Sequence, residues 1–138
     1  MRIEFSEAFA LPIEEVFSYF ESPLAWPKLY GLAGTVKDHG EGWYSIPLKN
    51  FPFPLVAKAT EVQANALVRW IFRGFWAGQG QVCFRSEAGK VIVEGYEEIG
   101  LRYLPLGKRL VERLILEPQF KAVWAIGWKR LRKREQKS

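Results

Sequence analysis

The chain has 138 residues, of which 49% are hydrophobic and 25% are charged, and its formal net charge is +5 at pH 7. This size is sufficient for one domain, which we expect to span residues 1–138, to bury a core without disulfides or metal. The single cysteine, Cys83, excludes an internal disulfide, and no stretch approaches the roughly 20 apolar residues of a membrane span. The first residues lack the apolar segment of a signal peptide, so we expect a cytoplasmic protein.

The basic excess is confined to the C-terminal segment. Residues 129–138 hold six basic side chains and one acidic side chain, whereas basic and acidic groups balance in the rest of the chain. Cations at the C-terminal end of a helix complement the helix dipole. We therefore interpret the segment as a basic helix end, which is a weak nucleic-acid signal, with docking on RNA or an anionic membrane as the alternative.

The first part of the chain predicts one strand and two short helices. Residues 2–9 alternate between apolar and polar types, as in a strand with one buried face. Glu7 falls on the apolar side, and we expect it at the strand end, where water reaches it. Pro12 is typical of the start of a helix, and a second helical turn is predicted over residues 24–29.

Strands separated by glycine and proline follow. They are predicted over residues 32–37, 43–48, 55–63, 67–76, 79–85 and 90–103. Residues 38–42 predict a turn and residues 50–54 a stiff loop. Gly95, inside the last strand, predicts a bulge that shifts the register.

The last quarter predicts a long amphipathic helix over residues 106–133, because its apolar residues recur at steps of three and four. Pro118 has no amide donor and its ring crowds the preceding turn, so the helix should pause near Leu116 and restart at Phe120. A helix with this aromatic face needs a concave partner, and the upstream strands are the candidate.

The element order predicts an α+β fold. We expect a curved antiparallel sheet of about seven strands, two short helices after the first strand, and the C-terminal helix across the concave face. Hot-dog and NTF2-like folds are the alternatives, but both place their long helices early in the chain.

The segment LPIEEVFSYFESPLAWPKLY, residues 11–30, resembles the entry of the START-like (SRPBCC) superfamily, the helix-grip fold of polyketide cyclases, plant pollen allergens and lipid-transfer domains. The matching residues are Val16, Phe17, Pro23, Trp26 and Pro27. The resemblance implies this fold and a ligand cavity. It implies no reaction, because the matches are structural positions.

Large aromatic residues on inward faces are the candidate ligand-binding residues. They are Trp43, Trp70, Phe72, Trp76, Phe84, Tyr96, Phe120 and Trp124. Large inward residues usually form core, and the functional interpretation of this set is a pocket for a flat or long apolar ligand, in which tryptophan and tyrosine edges supply hydrogen bonds. A fully packed core is the alternative interpretation.

Few residues are candidates for acid–base catalysis. The adjacent Asp38 and His39 fit a turn better than a catalytic couple, and Cys83 is expected on an outward face. One histidine and one cysteine supply no ligand set for zinc, so we expect no metal or cofactor. Three glutamates surround Tyr96, at positions 94, 97 and 98, and the expected bulge leaves open which of them faces inward.

Three functions are therefore compared. The first is the binding of a hydrophobic small molecule, such as a lipid, quinone, isoprenoid or polyketide-like compound, between sheet and helix. The second is a cyclase or dehydratase in the same cavity, with Glu7, Tyr96 and His39 as candidate acids or bases. The third is an interaction protein that docks through its basic tail.

Overall fold

Seven antiparallel strands form one curved sheet, which confirms the predicted α+β fold class. The structure is a computed structural model that describes residues 1–31, 35–48, 53–102, 107 and 111–137. Its strands are β1 (Arg2–Phe9), β2 (Lys37–Gly40), β3 (Trp43–Ile46), β4 (Leu55–Gln63), β5 (Leu67–Arg73), β6 (Trp76–Glu87) and β7 (Lys90–Leu101). Their order in the sheet is β1-β7-β6-β5-β4-β3-β2, so the first strand pairs with the last.

In the described part of the chain, two short helices and one long helix accompany the sheet. They are α1 (Ile13–Ser18), α2 (Trp26–Tyr30) and α3 (Glu117–Lys137), and a π-helical turn, Glu112–Leu116, directly precedes α3. Among the described residues, no helix is long and apolar enough to cross a bilayer.

The π-helical turn ends at Leu116, near which the sequence predicts a pause, but the α-helix restarts at Glu117 rather than at Phe120. The N–H of Glu117 donates to the carbonyl of Glu112, one residue farther back than in an α-helix. Pro118 follows directly, and its ring and missing N–H do not fit a regular preceding turn. The predicted beginning of the helix, Leu106, lies outside the described residues, and the helix ends at Lys137 rather than at Lys133.

The helix α3 packs its apolar face on the inward face of the sheet and on α2. Leu131 is fully buried and Phe120 nearly so. A Cβ atom at Gly127 would lie 2.8 Å from Cγ of Leu29, so this glycine permits the close approach of α2. The ring of Trp124 stacks on that of Phe5 in β1, with centroids 4.5 Å apart.

The first hairpin departs from the prediction. The strand expected over residues 32–37 lies at Lys37–Gly40, and the predicted turn shortens to Glu41 and Gly42. Both turn residues have positive φ angles, 56° and 85°. A two-residue turn of this kind matches the twist of the flanking strands. Residues 32–34 and most of the predicted loop at 50–54 lie outside the described residues.

The predicted strand over residues 67–76 is two strands. β5 ends at Arg73, the chain turns at Gly74 with a φ of 82°, and Trp76 begins β6. The inward direction of Trp70 and Phe72 is confirmed, since both are buried while Arg69 is exposed.

The bulge predicted at Gly95 is wrong. Gly95 pairs in regular register with Val82 of β6 and with Phe5 of β1. A Cβ atom on this glycine would lie 2.0 Å from the carbonyl oxygen of Gln81, so a close backbone approach explains the residue. The alternation of β7 therefore continues without a break, and it places Glu97 on the inward face and Tyr96 on the outward face.

The buried face of α3 yields a stability prediction. Leu131→Ala should lower the free energy of unfolding by about 2–5 kcal/mol, because it leaves a cavity under a fully buried side chain. Ile126→Ala, on the same helix but 45% exposed, should lower it by less than about 1 kcal/mol. Denaturant unfolding of both variants measures the difference. Equal losses would contradict the described docking of the helix.

Candidate functional site

A narrow cavity lies between the inward face of the sheet and the helices α2 and α3. It is lined by Phe20, Trp26, Leu29, Tyr30, Leu55, Trp70, Glu97, Phe120, Val123 and Trp124. The space open to the centre of a water-sized sphere is about 30 Å³, which is room for about two water molecules. Ligand pockets usually measure about 300–1,000 Å³. A larger ligand therefore requires side chains of the lining to move.

Glu97 is the acidic group of this apolar lining. Its position follows from the alternation of β7, and its neighbours across the sheet are Ile3 in β1 and Gly80 in β6. The residue is 5% exposed. The indole Nε1 of Trp124 donates a long hydrogen bond, 3.4 Å, to its Oε1 atom.

Gly80 makes room for a second indole beside this carboxyl. Trp70, Gly80 and Glu97 are consecutive members of one row across β5, β6 and β7. A Cβ atom at Gly80 would lie 2.4 Å from the Trp70 ring, so the indole occupies the space that a side chain would fill. The buried Nε1 of Trp70 makes no hydrogen bond of normal geometry, but its N–H favours the charged form of the Glu97 carboxyl.

Burial raises the pKa of Glu97 to about 7, and the indole N–H groups of Trp124 and Trp70 oppose that rise. Desolvation dominates because an apolar surrounding disfavours the charged form of a carboxyl. Near neutral pH the group is therefore present in both its protonated and its ionised form.

The hydroxyl of Tyr30 is the second oxygen-bearing side-chain group of the lining. It is buried and has no hydrogen-bond partner among the described residues. Burial and the negative charge of Glu97 both raise the pKa of this phenol, so it remains protonated. The cavity thus offers one carboxyl, one hydroxyl and indole N–H groups within an apolar wall.

The predicted aromatic residues separate into three groups. Those that line the cavity are Trp70, Phe120 and Trp124. Those that are buried in the core outside the lining are Phe72, Trp76 and Phe84. Trp76, for example, packs edge-on against Phe120 with ring centroids 5.3 Å apart. The other two residues, Trp43 and Tyr96, lie elsewhere.

The inward placement predicted for Trp43 and Tyr96 is wrong. The guanidinium of Arg73, an outward residue of β5, lies 4.2 Å from the centre of the Trp43 ring. That of Arg2 lies 4.2 Å from the centre of the Tyr96 ring. Both aromatic rings thus cover the outer face of the sheet, where arginines stack on them.

The predicted acid–base candidates do not line the cavity. Glu7 is half-buried and binds Arg132 of α3, with Oε2 2.7 Å from Nη2. His39 is exposed in β2, and the Asp38 carboxylate accepts the N–H of Gly40 at 2.8 Å. Cys83 is exposed, as expected. The polar residues that do line it are Glu97 and Tyr30, and unbroken alternation in β7 was the sequence signal for the first.

The basic helix end is partly bound to the body of the protein. Arg132 contacts Glu7, Arg134 contacts Glu15 in α1, and Arg130 donates to the carbonyl of Lys28 in α2. The lysines of this end are exposed. Docking of the tail on RNA or a membrane stays a prediction.

Comparison with known proteins identifies the fold alone. No protein-family model and no curated protein matches the sequence. A conserved protein from Geobacillus kaustophilus is similar in structure, with a TM-score of 0.74 and 14% identity over 100% of this chain and 97% of that one. A protein from Thermus thermophilus has a TM-score of 0.72 and 12% identity over 99% and 97%. The protein XoxI from Bacillus cereus has a TM-score of 0.70 and 9% identity over 98% and 95%.

No group of three metal-binding side chains was found in the described part of the chain. The cavity itself contributes one carboxyl, which is too few ligands for a structural metal site. The chemistry of the lining is therefore that of apolar contact, hydrogen bonding and a single titrating acid.

The raised pKa of Glu97 predicts a pH-dependent stability. Between the ordinary value of 4.5 and about 7, the native state holds a proton that the unfolded chain has lost. Stability should therefore fall as pH rises through this window, by up to about 3 kcal/mol. Glu97→Gln lacks the titrating group, so this loss is absent from the variant. Denaturant unfolding should therefore show that the free energy of unfolding of the variant, relative to that of the wild type, is higher near pH 8 than near pH 5.

Glu94→Gln is the matched control, because Glu94 lies on the outward face of the same strand and pairs with Arg85. It should not remove the fall in stability. A wild-type curve without this fall would contradict the burial of an ionisable Glu97.

Proposed function

We propose that this protein binds a hydrophobic small molecule in the cavity between the sheet and α3. The observation that supports the proposal is the Glu97 carboxyl, which is buried in an aromatic and aliphatic lining beside an unpartnered Tyr30 hydroxyl. Polar groups of this kind are costly to bury without partners. An interior selected for packing alone would place apolar side chains there, whereas a binding site retains polar groups to orient its ligand.

The proposed entrance to the cavity lies between α2 and α3. Tyr30, Val123 and Trp124 are the half-buried members of the lining, and they belong to these two helices. A ligand enters as these side chains separate, since the present space holds about two water molecules. The proposed ligand classes are lipids, quinones, isoprenoids and polyketide-like compounds. The protein that binds them is proposed to be cytoplasmic and of the START-like type.

A second candidate is acid–base catalysis in the same cavity, of the cyclase or dehydratase type. The pKa of Glu97, about 7, suits a group that both donates and accepts protons at neutral pH. If the protein turns over a bound compound, Glu97→Gln should abolish the reaction while the compound still binds. Undiminished turnover by this variant would exclude Glu97 as the acid.

Filling the cavity should weaken binding. Val123→Trp adds a large ring to the lining, whereas Ile126→Trp adds the same ring to an exposed position of α3. The probe is the uncharged N-phenyl-1-naphthylamine, whose fluorescence rises in apolar sites, and thermal unfolding verifies that both variants are folded. The wild type and Ile126→Trp should bind the probe with similar affinity, and Val123→Trp at least about tenfold more weakly. Equal binding by all three proteins would contradict the proposed site.

A further inference from the structure

The cavity contains a carboxyl group without a basic partner. The groups that act on Glu97 are the indoles of Trp124 and Trp70, which are neutral donors. No ion pair among the described residues includes Glu97, although the other buried glutamate, Glu112, lies 3.8 Å from the N-terminal amino group. A positive charge would therefore complete this site.

Aromatic rings make up much of the wall around this carboxyl. Trp26 and Trp70 meet edge-on with centroids 5.4 Å apart, and Phe20 and Trp124 are stacked at 6.4 Å. The faces of such rings carry negative charge density and attract cations. The oxygen of the Tyr30 hydroxyl is a further acceptor for an N–H donor.

We propose that the polar end of the ligand is a primary ammonium group, which binds between Glu97, Tyr30 and the tryptophan rings. This inference rests on the proposed binding function and names the chemical class of its ligand. A CH₂–NH₃⁺ group has two heavy atoms, which suits a space of about 30 Å³. Its three N–H donors match the carboxylate and the hydroxyl oxygen. A carboxylate or phosphate end would place a negative charge beside Glu97 and is disfavoured.

The pH dependence of such binding follows from the groups around Glu97. Its sheet neighbours Ile3 and Gly80 are uncharged, as is Trp70 on β5. On the helices, Tyr30 remains protonated and Trp124 carries no charge. Ionisation of Glu97 itself therefore controls the site, and an ammonium ligand should bind more tightly as pH rises from about 6 to about 8.

Three compounds with the same chain test this inference: hexylamine, hexanol and hexanoate. The readout is the NMR shift of the indole N–H groups of Trp70 and Trp124 in the full-length protein. Hexylamine should bind at least about tenfold more tightly than hexanol near pH 8, and hexanoate should bind most weakly. The preference for the amine should shrink near pH 6.

Glu97→Gln should remove the preference for hexylamine and its pH dependence while hexanol still binds. Glu94→Gln, on the outward face of the same strand, should retain both. Equal affinity of the wild type for hexanol and hexylamine would overturn the ammonium inference and leave the apolar site intact. Binding of none of the three compounds would overturn the proposed function as well. A preference for hexylamine that persists in Glu97→Gln, or tightest binding of hexanoate, would also overturn the inference.

Discussion

The contact between the apolar face of α3 and the inward face of the sheet determines the rest of this structure. Gly127 brings α2 against the helix, and Phe120 and Leu131 enter the core. Arg132 at the far end of the helix binds Glu7 of β1. Because α3 contacts α2 and β1 while its Trp124 reaches Glu97 of β7, the side chains between them enclose a small cavity rather than a continuous aliphatic layer. The proposed function depends on this arrangement.

The same packing creates the unfavourable environment of Glu97. A carboxyl at this position is removed from water by the rings of Trp70 and Trp124, and the long hydrogen bond from Trp124 and the nearby N–H of Trp70 compensate only part of the loss. Such a residue lowers the stability of the native state as pH rises from its ordinary pKa to its raised pKa. Departures of this kind from good packing are expected at binding sites, where function and stability compete.

Much of the fold is predictable from local sequence patterns. The inward direction of Glu97 depends on the register of β7, which is hard to predict because Gly95 lies within that strand. Alternation placed β1 and β4 at their observed bounds, and the spacing around Pro118 indicated the break before α3. Glycine within a strand commonly marks a bulge. At Gly95 it instead accommodates the Phe5 ring and a neighbouring carbonyl.

The inward placement of two aromatic residues was also predicted wrongly. Large rings favour inward faces, but arginines on the outer face of the sheet stack on Trp43 and Tyr96 and provide an alternative to burial. The participation of Tyr30 is a consequence of tertiary packing, because the direction of its side chain depends on how α2 meets α3. No periodicity within a five-residue helix specifies that direction.

The central claim is that Glu97 is an isolated acid inside an apolar cavity, and its titration tests this claim most directly. Carboxyl-carbon NMR of the wild type, with the signal assigned by its absence from Glu97→Gln, measures the pKa of this one group. The structure leads us to expect a pKa of about 7. A value near the ordinary glutamate pKa of 4.5 would mean that the carboxyl is solvated or paired with a cation, and would contradict the account.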